Sequence, residues 1–359
     1  MRVAIVVLLS CLIAFVTASR ASGEPPEFPL DPVGYVGGQE AAGKADLAIE
    51  RGGFRYKFID ANNKAAFAKD PERYEIQLGG ACARMGPLNH AGEVELYALH
   101  DGKIYLFASD ECRQTFLANP SAMLEMDDAP PDVSDESIRR GRELLNSVVV
   151  AMGGAERIDA IKTYDDKMYM VAGSDNSYNG LWIAFPNSFS QKFKRNERGW
   201  SMTCTGAGTA WFDSDQKIRS MATSQQQAFM REMGRLLVLI VKSRNDPKFV
   251  CSYIGQAEFN EKPVEQIAVA LHGSTSTLMI DPKTNQIVGQ TYRGRGPRSF
   301  LGEYEVTFSD HKTFNGVTLP ITWSTKFDGE YVAEFSGTLD EVHVDQPIDP
   351  KVFEQWKEK

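Results

Sequence analysis

A spaced repeat near the start of the chain constrains the fold more than any other feature. Gly53, Tyr56, Phe58, Phe67 and Pro71 recur as Gly102, Tyr105, Phe107, Phe116 and Pro120, each pair 49 positions apart. Matches at a single offset mark an internal duplication, in which each unit is one supersecondary element packed with its copy. In each copy a Gly-led turn precedes alternating aromatics that read as a strand. A helix follows, predicted over Ala61–Lys69 in the first copy and Asp110–Ala118 in the second. Asp70-Pro71 and Asn119-Pro120 end these helices, because proline cannot continue one. Alternation sets Tyr56 with Phe58, and Tyr105 with Phe107, on one strand face, where Phe67 or Phe116 can close over them from the helix.

Ahead of the repeat, Arg2 and an apolar run from Val3 to Val16, broken only by Ser10 and Cys11, read as a secretory signal peptide. Val16-Thr17-Ala18 fits the small-residue cleavage rule, and the leader is expected to cover residues 1–22. The run is short for a membrane anchor, and Cys11 lies too deep in it for lipidation. The most apolar later run, Leu236 to Val241, is far too short to span a bilayer. A soluble periplasmic or secreted protein is therefore expected. Its 359 residues suit two domains, and 42% hydrophobic with 24% charged residues is a globular composition. A net charge of −9 argues against a nucleic-acid partner, which needs clustered Lys and Arg. Removing the leader leaves Cys82, Cys112, Cys204 and Cys251, an even set in a compartment that permits disulfides. Pairing Cys82 with Cys112 and Cys204 with Cys251 keeps each bridge inside one domain; the other pairings stay open.

Asp127-Asp128-Ala129-Pro130-Pro131 reads as a linker, set at residues 126–133, between a domain at 28–125 and a second at 134–359. Ser134 caps a helix with Asp135 and Glu136 in its first turn, and Gly153-Gly154 stops it. Strands follow at 167–171, 181–185 and 188–193. Residues 224–244 read as one long helix with Phe229, Met233, Leu236, Leu237 and Ile240 on its apolar face. Hairpins then turn at 281–285, Asn315-Gly316 and Asp328-Gly329, which suggests an antiparallel sheet covered on one face. Gly294-Arg295-Gly296-Pro297, between Arg293 and Arg298, reads as a flexible hairpin tip, with anion binding as the alternative. Asp165 and Asp166 are adjacent on a strand and point apart, so they make no acid/base dyad.

The repeat carries a resemblance. Asp31-Pro32-Val33, the segment from Gly102 to Cys112, the Phe116…Asn119-Pro120 ending and Gly79-Gly80-Ala81-Cys82-Ala83 resemble YHS domains, small α+β metal-binding modules. The resemblance implies one Cys after Asp-Pro-Val and two around the strand-to-helix turn. Here Gly34, Ile59 and Asn63 stand at those places in the first copy. The second keeps Cys82 and Cys112 but has Ala108 at the third. A closed zinc site wants about four N or S ligands, so Met85, His90 and His100 are the candidate helpers for zinc or copper. A disulfide between the two cysteines is the competing expectation. In the second domain, Ala151-Met152-Gly153-Gly154-Ala155, Gly316-Val317-Thr318-Leu319-Pro320 and Pro347-Ile348-Asp349-Pro350 resemble LolA-like lipoprotein carriers. That resemblance implies a curved antiparallel β half-barrel with helices packed on its concave side. It also implies a groove for a lipophilic ligand, floored by Trp182, Phe185, Trp211 or Trp323 and lidded by the long helix.

The expected fold class is thus α+β, a small duplicated YHS-like domain followed by the half-barrel. No His-Glu-x-x-His pair, Gly-x-Ser-x-Gly elbow or phosphate loop is present, which favours a binding protein over an enzyme. The expected function is binding of a metal ion at the first domain, and of a lipophilic small molecule or an exported protein partner at the second. A thiol- or metal-dependent redox enzyme using Cys82 and Cys112, and a purely structural interaction module, are the alternatives.

Overall fold

The computed structural model describes residues 24–131, 133–171, 174–196, 198–208, 210–214 and 217–354; the expected signal peptide lies outside them. In the amino-terminal module, a hairpin of Lys44–Arg51 and Phe54–Phe58 leads to the helix Ala61–Lys69. A second hairpin of Glu93–His100 and Lys103–Phe107 leads to the helix Asp110–Ala118. Every boundary of one unit is matched 49 residues later in the other. Even the strand irregularity recurs, between Lys44 and Ala48 and between Glu93 and Tyr97. The side chains of Asp60 and Ser109 cap the two helices through Asn63 N and Cys112 N, satisfying donors a helix start leaves unpaired. Phe67 lies 4.9 Å from the Tyr56 ring and 5.3 Å from Phe58. Phe116 lies 5.4 Å from Tyr105 and 5.2 Å from Phe107. The copies differ in burial: Ile104 and Leu106, on the other face of the second hairpin, join the core of the first. The second hairpin is therefore covered on both faces.

The second domain is mixed, with mostly antiparallel sheets. Its first helix, Asp135–Ala151, opens with a capping box in which Ser134 and Ser137 bond each other's backbone N–H. Among the described residues, one sheet has seven strands, built from Thr163–Tyr169, Ser177–Ala184, Ser188–Arg195, Arg198–Cys204, Ala210–Ser214, Lys217–Ser220 and the late strand Glu341–Val344. The other has eight, running from Val250–Phe259 to Glu330–Tyr331 with Gly337–Thr338 beside Val317–Phe327. The expected half-barrel is thus split into two open sheets. A seam joins them: Thr338 pairs with Thr322, Leu339 N donates to Ile321 O, Asp340 N donates to Lys167 O, and Val342 pairs with Asp166. Both sheets and the helices share one core, which includes Leu145, Val148, Phe229, Ile240, Ile183, Ile267, Leu278 and Val317. The expected turns hold, with positive φ at Asn315, Gly316, Asp328 and Gly329 as tight hairpins require.

The long helix expected over 224–244 is instead two, Thr223–Met233 and Leu237–Lys242. Gly234 lies so close to the carbonyl oxygen of Leu271 that a side chain there would collide. Leu236 turns extended before the second helix begins. Among the described residues, no helix is long and apolar enough to cross a membrane.

Candidate functional sites

The two copies of the amino-terminal module fill the same position differently. In the first, the fully buried Asp31 carboxylate accepts from Val33 N at 2.9 Å, Gly34 N at 3.0 Å, Ile59 N at 2.8 Å and Asn63 Nδ2 at 2.8 Å. Ala108 and Cys112 stand 49 residues after Ile59 and Asn63. There the fully buried Cys82 sulfur meets the backbone N–H groups of Ala108 and Met85 and the Cys112 thiol. Burial pushes the Cys82 thiol up despite those N–H donors, with the neighbouring Cys112 adding to the rise. Cys82 is therefore held as a thiol and is a poor nucleophile near neutral pH.

Among the described residues, Cys82, Cys112, Cys204 and Cys251 are all free thiols. Cys204 and Cys251 are buried in the main core, where burial pushes their thiols up to about 11 and about 12. The two histidines expected as metal helpers do not join Cys82 and Cys112. Met85 packs on the same apolar cluster. His90 is exposed and offers only its carbonyl oxygen, to Cys82 N at 2.8 Å. His100 pairs with Asp101 at 3.4 Å and sets its ring against Phe116. Among the described residues no three His, Cys, Asp or Glu side chains converge, so the thiol pair lacks the four-ligand set of a closed zinc site.

A larger site lies between the two sheets of the second domain. It is a cavity of about 560 Å³. One wall is Tyr164, Asp166, Met168, Leu181 and Gln191; the other is Tyr292, Tyr304, Val306, Phe308, Leu319 and Trp323. The break between the two helices, residues 235–238, forms one end, and Phe335 and Leu339 of the seam region form another. Strand alternation brings residues 164, 166 and 168 to the cavity. It sends Asp165 to the opposite face, where Asp165 bonds His343 Nδ1 at 2.8 Å. As expected from the sequence, the two aspartates do not form a dyad. Asp166, however, accepts from the Tyr164 hydroxyl at 2.7 Å, and burial pushes its carboxyl up to about 7.

Of the four aromatic residues expected to floor the groove, Trp323 lines the cavity. Its Nε1 donates to Phe335 O at 2.8 Å, an oxygen that also accepts from Thr325 Oγ1 at 2.6 Å. Trp182 alternates onto the opposite face of its strand, beside Tyr178 and Lys192. Trp211 is buried at the register position of Thr203, also away from the cavity. Phe185 packs at the core edge under the Lys242 ammonium. The basic loop is corrected too. Arg295 is no mobile tip; it donates to Met123 O and Ser299 O, both at 2.7 Å. Asp166 and the cavity-facing tyrosines were missed in the sequence, where the one available signal was a carboxylate alternating with Tyr164 and Met168.

No protein-family model matches the chain, and no curated protein matches its sequence. Solved structures offer faint likenesses. A domain described as an outer-membrane lipoprotein-sorting protein from Vibrio parahaemolyticus is 10% identical, with a TM-score of 0.36, over 60% of this chain and 97% of that one. A DUF1329 family protein from Desulfovibrio piger is 13% identical, with a TM-score of 0.35, over 61% and 97%. A LolA superfamily protein from Nitrosomonas europaea is 8% identical, with a TM-score of 0.27, over 60% and 97%.

Proposed function

We propose that this is an exported binding protein of LolA-like design that holds a lipophilic molecule, or the lipophilic part of a partner, between the sheets of its second domain. The observation that carries the reading is the cavity itself. Its volume of about 560 Å³ suits a small lipophile, and Leu181, Leu236, Val306, Phe308 and Leu319 make much of its wall apolar. The test uses the full chain, isolated mildly. Native mass spectrometry and organic extraction should find a co-purified lipophile, and the neutral fluorophore N-phenyl-1-naphthylamine should bind saturably. Leu181→Trp, which fills the cavity, should weaken that uptake about tenfold or more. Repeated absence of both signals would reject the reading.

A second reading concerns the amino-terminal module, which we take as a YHS-like pair whose thiols have become structural. The raised pKa of Cys82 and the shortage of further ligands favour it. Thiol titration with elemental analysis should show slow-reacting Cys82 and no bound metal. Stoichiometric copper or zinc, lost in Cys82→Ser, would overturn it.

A further inference from the structure

Asp166 lines the cavity with one carboxylate oxygen engaged and the other turned to the open space. Its Oδ2 takes the Tyr164 hydroxyl, but Oδ1 has no protein donor among the described residues. No basic side chain sets its charge: the carboxyl responds to burial, to Tyr164 and to Asp165. Its neighbour on the same strand, Lys167, is turned to the opposite face and pairs with Glu341. Burial pushes the Tyr164 phenol up, with Asp166 adding to the rise, so Tyr164 remains a donor and cannot compensate the charge. A second acceptor shares this wall. Asn179 lies diagonally across from Asp166, opposite Met168, and its Oδ1 is buried without a partner. A buried acceptor without a donor is costly, and a ligand that brings donors to Asn179 and to the half-buried Asp166 removes that cost.

The basic groups of the cavity point to the same chemistry. Arg235 spends its nitrogens on Ser274 Oγ, Glu232 Oε1 and Arg293 O, and Arg295 spends its two terminal nitrogens on Ser299 O and Met123 O. Their charges are also paired inside the protein, Arg235 with Glu232 at 2.6 Å and Glu125 at 3.4 Å, and Arg295 with Glu125 at 4.0 Å, so neither stands as an unpaired cation for an anionic head. We propose that the cavity selects lipophiles whose polar end is a hydrogen-bond donor, an amine or a hydroxyl, over those ending in an anion, and that Asp166 with Asn179 reads that end. This rests on the cavity being a lipophile site.

The experiment displaces N-phenyl-1-naphthylamine from the full chain at pH 8 with dodecylamine, 1-dodecanol and dodecanoate, all below their micellar concentrations. The amine and the alcohol should displace at concentrations about tenfold or more below that of dodecanoate. Asp166→Asn keeps the shape and a partner for Tyr164, and it should weaken the amine about tenfold while narrowing the gap to dodecanoate. Asn179→Leu, a second variant at the same wall, should narrow the gap as well. Dodecanoate binding as tightly as the amine, or a series unchanged in both variants, would overturn the assignment. If the fluorophore itself fails to bind, the lipophile reading falls; if it binds and the series is flat, this inference alone falls.

Discussion

Asp166 couples folding to pH, because its carboxyl is held at about 7 in the folded protein. In an unfolded chain the same group titrates near ~4. Between those values the folded form keeps a proton that the unfolded form has lost, so stability falls as pH rises through this window. Asp166→Asn removes the titration. It should flatten the slope of urea-unfolding free energy between pH 4 and pH 7, and should raise stability at pH 8 by roughly 1–3 kcal/mol. A slope identical to that of the parent would remove Asp166 as its source. Gly141 shows a second constraint set by one residue. A side chain there would start 2.7 Å from Tyr253 N and 2.8 Å from the Ser252 carbonyl carbon, both backbone atoms that cannot swing away. Alanine gains about 1 kcal/mol of helix propensity, yet overpacking of this kind costs about 1–3 kcal/mol. Gly141→Ala should therefore lower the thermal midpoint despite being the better helix former, and a raised midpoint would refute the tight contact.

Elements were legible where a local rule fixes them. The duplicated hairpin–helix units could be placed because the aromatic spacing and the Asp-Pro and Asn-Pro stops repeat together. Asn315-Gly316 and Asp328-Gly329 mark their turns because few residues tolerate positive φ. The break in the long apolar helix was not legible, because it depends on the approach of Leu271 to Gly234 from a distant strand. The stretch around Ala333–Phe335 closes part of the cavity through bonds that are equally non-local, from Trp323 and Thr325 to Phe335 O. Trp323→Phe removes one of those donors while keeping much of the ring. Amide hydrogen exchange over residues 332–338 should then speed severalfold, with the Thr163–Tyr169 strand unchanged. Equal protection in both proteins would mean that Thr325 alone holds the stretch.

Across the whole molecule, the segment expected to be a plain linker is a clamped interface. Arg231 Nη2 binds Asp127 at 2.6 Å, Glu125 lies among Arg231, Arg235 and Arg295, and Arg295 holds Met123 O. Asp128 adds backbone and side-chain bonds to Gly273 O and Thr275 N, both at 2.9 Å. Gln225 reaches from the second domain to Pro87 O at 2.8 Å. Arg295→Ala leaves Met123 O and Glu125 short of partners, so thermolysin should cut residues 123–133 several times faster than in the parent. An unchanged cleavage rate would show that Arg231 and Arg235 suffice.

The sequence by itself determined the repeat, the hairpin turns, the helix caps and the alternating faces, since each follows from spacing or backbone sterics within a few residues. It could show that Asp165 and Asp166 point apart, and that Trp182 faces away from Leu181. It could not show which face would meet a cavity. That choice was made by tertiary structure, when two sheets joined along residues 337–344 and enclosed the space between them. Only there does Asp166 become a half-buried acceptor on a cavity wall and Trp323 part of the facing wall, because burial belongs to the assembled molecule and not to any stretch of chain.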